Sequence, residues 1–157
     1  MSSLAGFIAK RVQTAGDALH TAFAKMPEER AAWKPTVEGN AGRDALDQVL
    51  ECAYLGEWAA KSYSQGSLPT VDWDDFKVQC DAKRNQADAL AWLKSSNDAL
   101  AAAIAAMSDE KLGESITDPL HNTPSTWGDF AVDLVYWNLV YHEGQVNYVQ
   151  VLYGDMS

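Results

Sequence analysis

The sequence predicts an all-α protein, an antiparallel four-helix bundle forming one domain over residues 1–157. Three observations carry that expectation. In four long stretches apolar residues recur every three or four positions, the repeat of one face of an α-helix. Between those stretches no run of residues makes a convincing strand. With 47% hydrophobic residues the chain can also bury one substantial core.

The first helix runs from Leu4 to Met26, with Ile8, Val12, Ala15, Leu19 and Ala22 on one face and His20 on another, toward solvent. Pro27, Pro35 and Gly39 then break the pattern, and Trp33 and Pro35 are expected to fold back onto the bundle. Asn40 is placed to cap the second helix, whose inward stripe is Leu46, Val49, Leu50 and Ala53, with Gln65-Gly66 as its end. Asp72 opens a third helical region carrying Leu90, Leu93, Leu100, Ile104 and Met107, interrupted by Asn97. The breaker-rich stretch led by Ser108 reads as a long connection with at most one short helical turn, and leaves His121 exposed. Thr126 with Asp129 starts the fourth helix, expected unbroken to Tyr153, and Gly154 suits a left-handed cap. A long crossover joins the second-helix region to its neighbours.

Net charge of −10 argues against non-specific nucleic acid or anionic membrane as partners, because both require a basic surface. Cys52 and Cys80 are too few and too unpatterned for a disulfide framework or a cysteine-rich zinc site, so both are read as free thiols. The opening residues carry no leading basic region, and Lys10 and Arg11 interrupt the apolar run. Neither a signal peptide nor a membrane span is expected there, and the expected address is cytoplasmic.

On the last helix Ala131, Val135, Asn138, His142, Gln145 and Val149 share one stripe. Phe130, Leu134, Trp137, Tyr141, Tyr148 and Leu152 share the next, and both are expected to be largely covered. Asn138 and His142 lie about one turn apart on one face, as two ligands to a single metal would. Glu57 extends the inward stripe of the second helix, whereas Glu51 points away from it and Glu143 is rotated about 100° from His142.

The succession RAAWKP, RDALDQVLECAYLGEW, SDEKL and VYHEGQVNYVQVLYG resembles the DinB/YfiT-like superfamily of four-helix bundles over nearly the whole chain. Trp33-Lys34-Pro35 and His142-Glu143-Gly144-Gln145 carry the likeness most specifically. The resemblance implies a divalent zinc or nickel ion held by three histidines, one on the second helix and two on the last. Those three positions fall here on Cys52, Asn138 and His142, so only His142 keeps the family's ligand type. One thiolate, one weak amide oxygen and one imidazole suit such an ion less well than three imidazoles. The expectation is therefore a degenerate metal site, empty or weakly occupied, in a pocket that also includes Glu57, Gln145 and Tyr141.

Three functions are compatible with this reading. The resemblance implies a metal-dependent transferase that activates a low-molecular-weight thiol such as bacillithiol, mycothiol or glutathione, with Cys52 as ligand or nucleophile. A non-catalytic module would hold a small apolar or aromatic ligand in the former metal cavity. A homodimeric structural or regulatory protein would use exposed aromatics such as Trp58 or Trp73.

Overall fold

The computed structural model describes residues 3–37 and 40–155, and these are mostly helical. Four long helical stretches supply most of the core: α1 (Leu4–Ala24), α2 (Ala45–Gln65), α4 (Gln86–Ala105), and a last run made of α6 (Trp127–Asp129), a π-helical segment (Phe130–Tyr136) and α7 (Trp137–Leu152). Between α2 and α4 lies the shorter α3 (Trp73–Ala82), and α5 (Asp109–Leu112) follows α4. The principal packings are α4 on α1 and α2, and α7 on α1 and α2.

Local chemistry explains the boundaries. Side-chain oxygens of Ser3, Asp72, Asn85, Ser108 and Thr126 each accept a backbone N–H of the first turn that follows, the usual remedy for the unpaired donors at a helix start. Gly66 ends α2 at φ +65°, a left-handed conformation that glycine adopts without steric cost. The cap of α2 is Asp44 and not Asn40, which lies in a strand. Asp44 is fully buried, accepts from Asp47 N, and is met by the Arg84 guanidinium at 2.7 Å.

Two small antiparallel hairpins correct the expectation that the chain holds no strand: β1 (Thr36–Val37) with β2 (Asn40–Ala41), and β3 (Ser115–Asp118) with β4 (Thr123–Thr126). Gly39, read as a breaker, lies outside the described residues. The second hairpin turns through Asn122 at φ +54°, a conformation asparagine tolerates better than most residues. The third helical region is two helices, because the chain leaves helical geometry after Ala82 and Asn85 caps a new start.

The last run is helical throughout, yet its Phe130–Tyr136 portion takes the wider π geometry. The two stripes expected to be covered differ. Ala131, Val135, His142 and Val149 are buried, whereas Trp137, Tyr141, Tyr148 and Leu152 of the second stripe are exposed. Trp58, offered as an exposed aromatic, is half-buried against Phe130, while Trp73 is indeed exposed. Trp33 folds back as expected and meets Tyr153 edge-on at 5.9 Å. Among the described residues no helix is long and apolar enough to cross a membrane.

Candidate functional site

A cavity of about 380 Å³ opens between α2, α4 and the π-helical segment. Its α2 wall is Glu51, Cys52, Leu55, Gly56, Trp58 and Ala59. Leu93, Ser96, Asn97 and Leu100 come from α4, and Asp133, Leu134, Val135, Trp137, Asn138 and Leu139 from the last run. Trp73, Leu120 and His121 complete the lining. π-helical geometry is rare and gathers at functional sites, and three of the lining residues belong to that segment.

Most of the lining is apolar, but two buried polar atoms in it lack partners among the described residues. Asn97 is buried, donates from Nδ2 to Gln13 O at 3.2 Å, and leaves Oδ1 unmatched. The indole Nε1 of Trp58 is likewise unmatched. An unpaired buried donor or acceptor costs about 1–3 kcal/mol, and the Asn97 amide bears that cost packed against Gly16 of α1. At the outer part of the lining, exposed His121 places Nδ1 2.6 Å from Asp118 Oδ2. Burial alone would raise the Asp118 carboxyl; the bonds from His121 and from Leu120 N outweigh it and hold the carboxyl below its ordinary range.

Two of the three sequence-derived ligand positions meet, and the third, His142, which family register set opposite Cys52, takes other partners. Asn138 Nδ2 points to Cys52 Sγ at 3.7 Å, so α2 and α7 do bring these two residues face to face. His142 is buried and bonded elsewhere: Nδ1 lies 2.7 Å from Gln145 Oε1 and Nε2 3.1 Å from Glu51 Oε1. Arg43 Nη1 meets the other Glu51 oxygen at 2.6 Å. The residue turned away by the stripe argument is thus the partner of His142.

Glu57 does not join this group. Five residues beyond Cys52, it is rotated by about 140° on α2, and it accepts from Lys61 and from Trp92 Nε1 in a separate shallow cleft. Tyr141 and Gln145 border an outer groove on α7, not the cavity, although Tyr141 touches the His142 ring edge-on at 5.4 Å. Glu51 and His121 are the residues sequence reasoning missed. The signal for Glu51 was its place beside Cys52; for His121 it was Asp118 three residues earlier.

The donor set as placed does not fit a divalent ion. Burial pushes the Cys52 thiol well above its usual range, which keeps it protonated at neutral pH. Both nitrogens of His142 already face side-chain partners, and the Gln145 amide can turn to suit either protonation state of the ring. Burial would raise Glu51, but hydrogen bonds and charge from His142 and Arg43 outweigh it and lower its carboxyl, which is therefore ionised and accepts from Nε2. Neither ring lone pair is left directed at an ion. Among the described residues no three His, Cys, Asp or Glu side chains converge to hold a metal.

No family model and no curated relative matches this chain. A solved structure does: the colibactin self-resistance protein ClbS, in complex with a dsDNA, is similar at a TM-score of 0.71 and 16% sequence identity. The match covers 96% of this chain and 97% of that one. The two chains share a fold. This finding corrects the expectation that nucleic acid is excluded as a partner. That expectation rested on total charge alone, and a protein of the same fold has been crystallised with duplex DNA. A net charge does not forbid a local contact.

Proposed function

We propose that this chain is a DinB-like four-helix-bundle protein, cytoplasmic, whose metal site has been replaced by the Arg43–Glu51–His142–Gln145 network and whose cavity binds a small molecule. The observation that carries the reading is the cavity itself, about 380 Å³ and mostly apolar, with Ser96, Asn138 and His121 among its polar lining residues. That volume lies within the range of about 300–1,000 Å³ usual for small-molecule sites, and a few polar groups on apolar walls are their usual composition. The molecule that suits it is compact and aromatic or aliphatic. The transferase reading gains nothing from a thiol that burial keeps protonated.

A thermal-shift screen with phenols and indoles tests the proposal. Binders should raise the melting temperature, and Ala59→Leu, which fills the cavity from α2, should abolish the rise while leaving the fold intact. If no compound of this class shifts melting, or if shifts persist unchanged in Ala59→Leu, the cavity is not the binding site.

A second reading, local contact with duplex DNA, is favoured by the complex in which ClbS was solved. The cations gathered near the start of α2, Lys34, Arg43 and Arg84, are partly exposed although each pairs with a carboxylate. Fluorescence anisotropy of a labelled short duplex at low salt should then show binding that fades as salt rises. No change in anisotropy at any protein concentration removes this reading.

A further inference from the structure

The outer face of α7 carries a set of exposed apolar side chains that the fold leaves uncovered. Trp137 is 56% exposed, Tyr141 47%, Tyr148 63% and Leu152 44%, with Val140 and Val151 beside them. Trp137 and Tyr141 stack with ring centroids 4.9 Å apart. Together with Gly144 these residues follow a 4-3-4-4 spacing, the seam along which one helix packs on another. No residue of that seam is charged, in a chain of net charge −10.

Gly144 sharpens the observation. A Cβ added there would meet nothing within 4 Å, so the single chain gives no packing reason for glycine. Glycine inside a helix lowers its stability relative to alanine, and close approach of another backbone is one of its recognised uses. The seam also reads alike in both directions about the midpoint of Gly144 and Gln145: Tyr141 mirrors Tyr148, and Trp137 mirrors Leu152. A twofold contact pairs residue i with j and j with i, so a crossing at this midpoint sets Tyr141 on Tyr148 and Trp137 on Leu152 in both directions.

We propose that the outer face of α7 is the interface of a twofold homodimer, in which two α7 helices cross antiparallel at Gly144 and Tyr141 of each copy packs on Tyr148 of the other. The exposed parts of these aromatic and aliphatic side chains amount to roughly 500 Å² per copy, so the pair buries roughly 1,000 Å², the lower bound of a specific association. The groove beside the seam, bordered by Pro35, Arg43 and Gln48, has room for the partner's side chains. The interface is independent of the cavity reading, although Trp137 belongs to both surfaces.

Sedimentation velocity on the full chain, from low micromolar to submillimolar concentration, provides the test. The expected result is a reversible monomer–dimer equilibrium that strengthens with added salt, because screening relieves the repulsion between acidic copies. Tyr148→Glu should weaken association at least ~10-fold, as loss of a central aromatic anchor does. Gly144→Ala should weaken the dimer while raising the melting temperature of the dilute monomer, and circular dichroism should confirm that both variants remain folded. A chain that stays monomeric over the whole range overturns the proposal, as does a dimer that tolerates both substitutions unchanged.

Discussion

Gly16 and Gly144 are both glycines in the middle of long helices, and their surroundings differ completely. A Cβ at Gly16 would lie 2.2 Å from Asn97 Cγ and Nδ2, so the Asn97 amide of α4 fills the space that a side chain at position 16 of α1 would need. A Cβ at Gly144 would touch nothing. The contrast separates the two working surfaces of the molecule. Where α1 and α4 meet, each side chain is committed: Asn97 lies against Gly16, reaches Gln13 and also lines the cavity. On the outer face of α7 the aromatic and aliphatic side chains leave roughly half of their surface uncovered within the monomer, and the small residue there calls for an explanation outside it.

Three substitutions should grade this contrast. Gly16→Ala forces a methyl into the Asn97 amide and should destabilise by about 3 kcal/mol, the upper end of overpacking penalties. A chemical denaturation midpoint measures it, and adding Asn97→Ala should relieve the clash. If Gly16→Ala alone is neutral, α1 and α4 are not held as closely as described.

Glu51→Gln should have an intermediate effect, about 1.5 kcal/mol at neutral pH, because the carboxylate partner of His142 and Arg43 is lost. The pH dependence follows from the lowered carboxyl. Its folded value lies below its unfolded value, so its contribution is full above the ordinary carboxylate range and disappears as pH falls through the folded value. Urea titrations of parent and variant should therefore converge in acid. A difference that stays constant through the acid range would show that the ion pairs are not its source.

The smallest effect belongs to Gly144→Ala, which should stabilise the dilute chain by about 0.5–1 kcal/mol, since only helix preference changes. A loss of stability at dilutions where only monomer exists would mean that Gly144 serves the single chain after all.

Much of this was legible in the sequence. The 3.6-residue repeat located the long helices, and Asp72, Thr126 and Gly66 marked boundaries because their side chains or backbone freedom act locally. Family register set Cys52 opposite His142, whereas the structure sets Asn138 against Cys52 and Glu51, one residue earlier on α2, against His142. The hairpins escaped because their strands have two to four residues and contain turn formers, too short for any alternation to register. Glu51 escaped because a stripe assigns a face only to within one residue, and a flexible glutamate bordering that face can still reach across to α7. The exposure of Trp137, Tyr141 and Tyr148 escaped because apolar residues occupy more than one face of the last run, and periodicity does not say which face the neighbouring helices cover.

The π-helical widening of the last run also bears on chain length. A π-helical turn is an α-helix accommodating one residue more than its pitch requires. Deleting one residue between Phe130 and Tyr136 would still leave a continuous helix, yet everything beyond it would turn by about 100° relative to what precedes. His142 would leave the interior and Tyr148 would rotate from its present face. The number of residues in this stretch is thus set by where the last helix must aim its side chains, and an insertion or deletion here would re-aim them without breaking any helix.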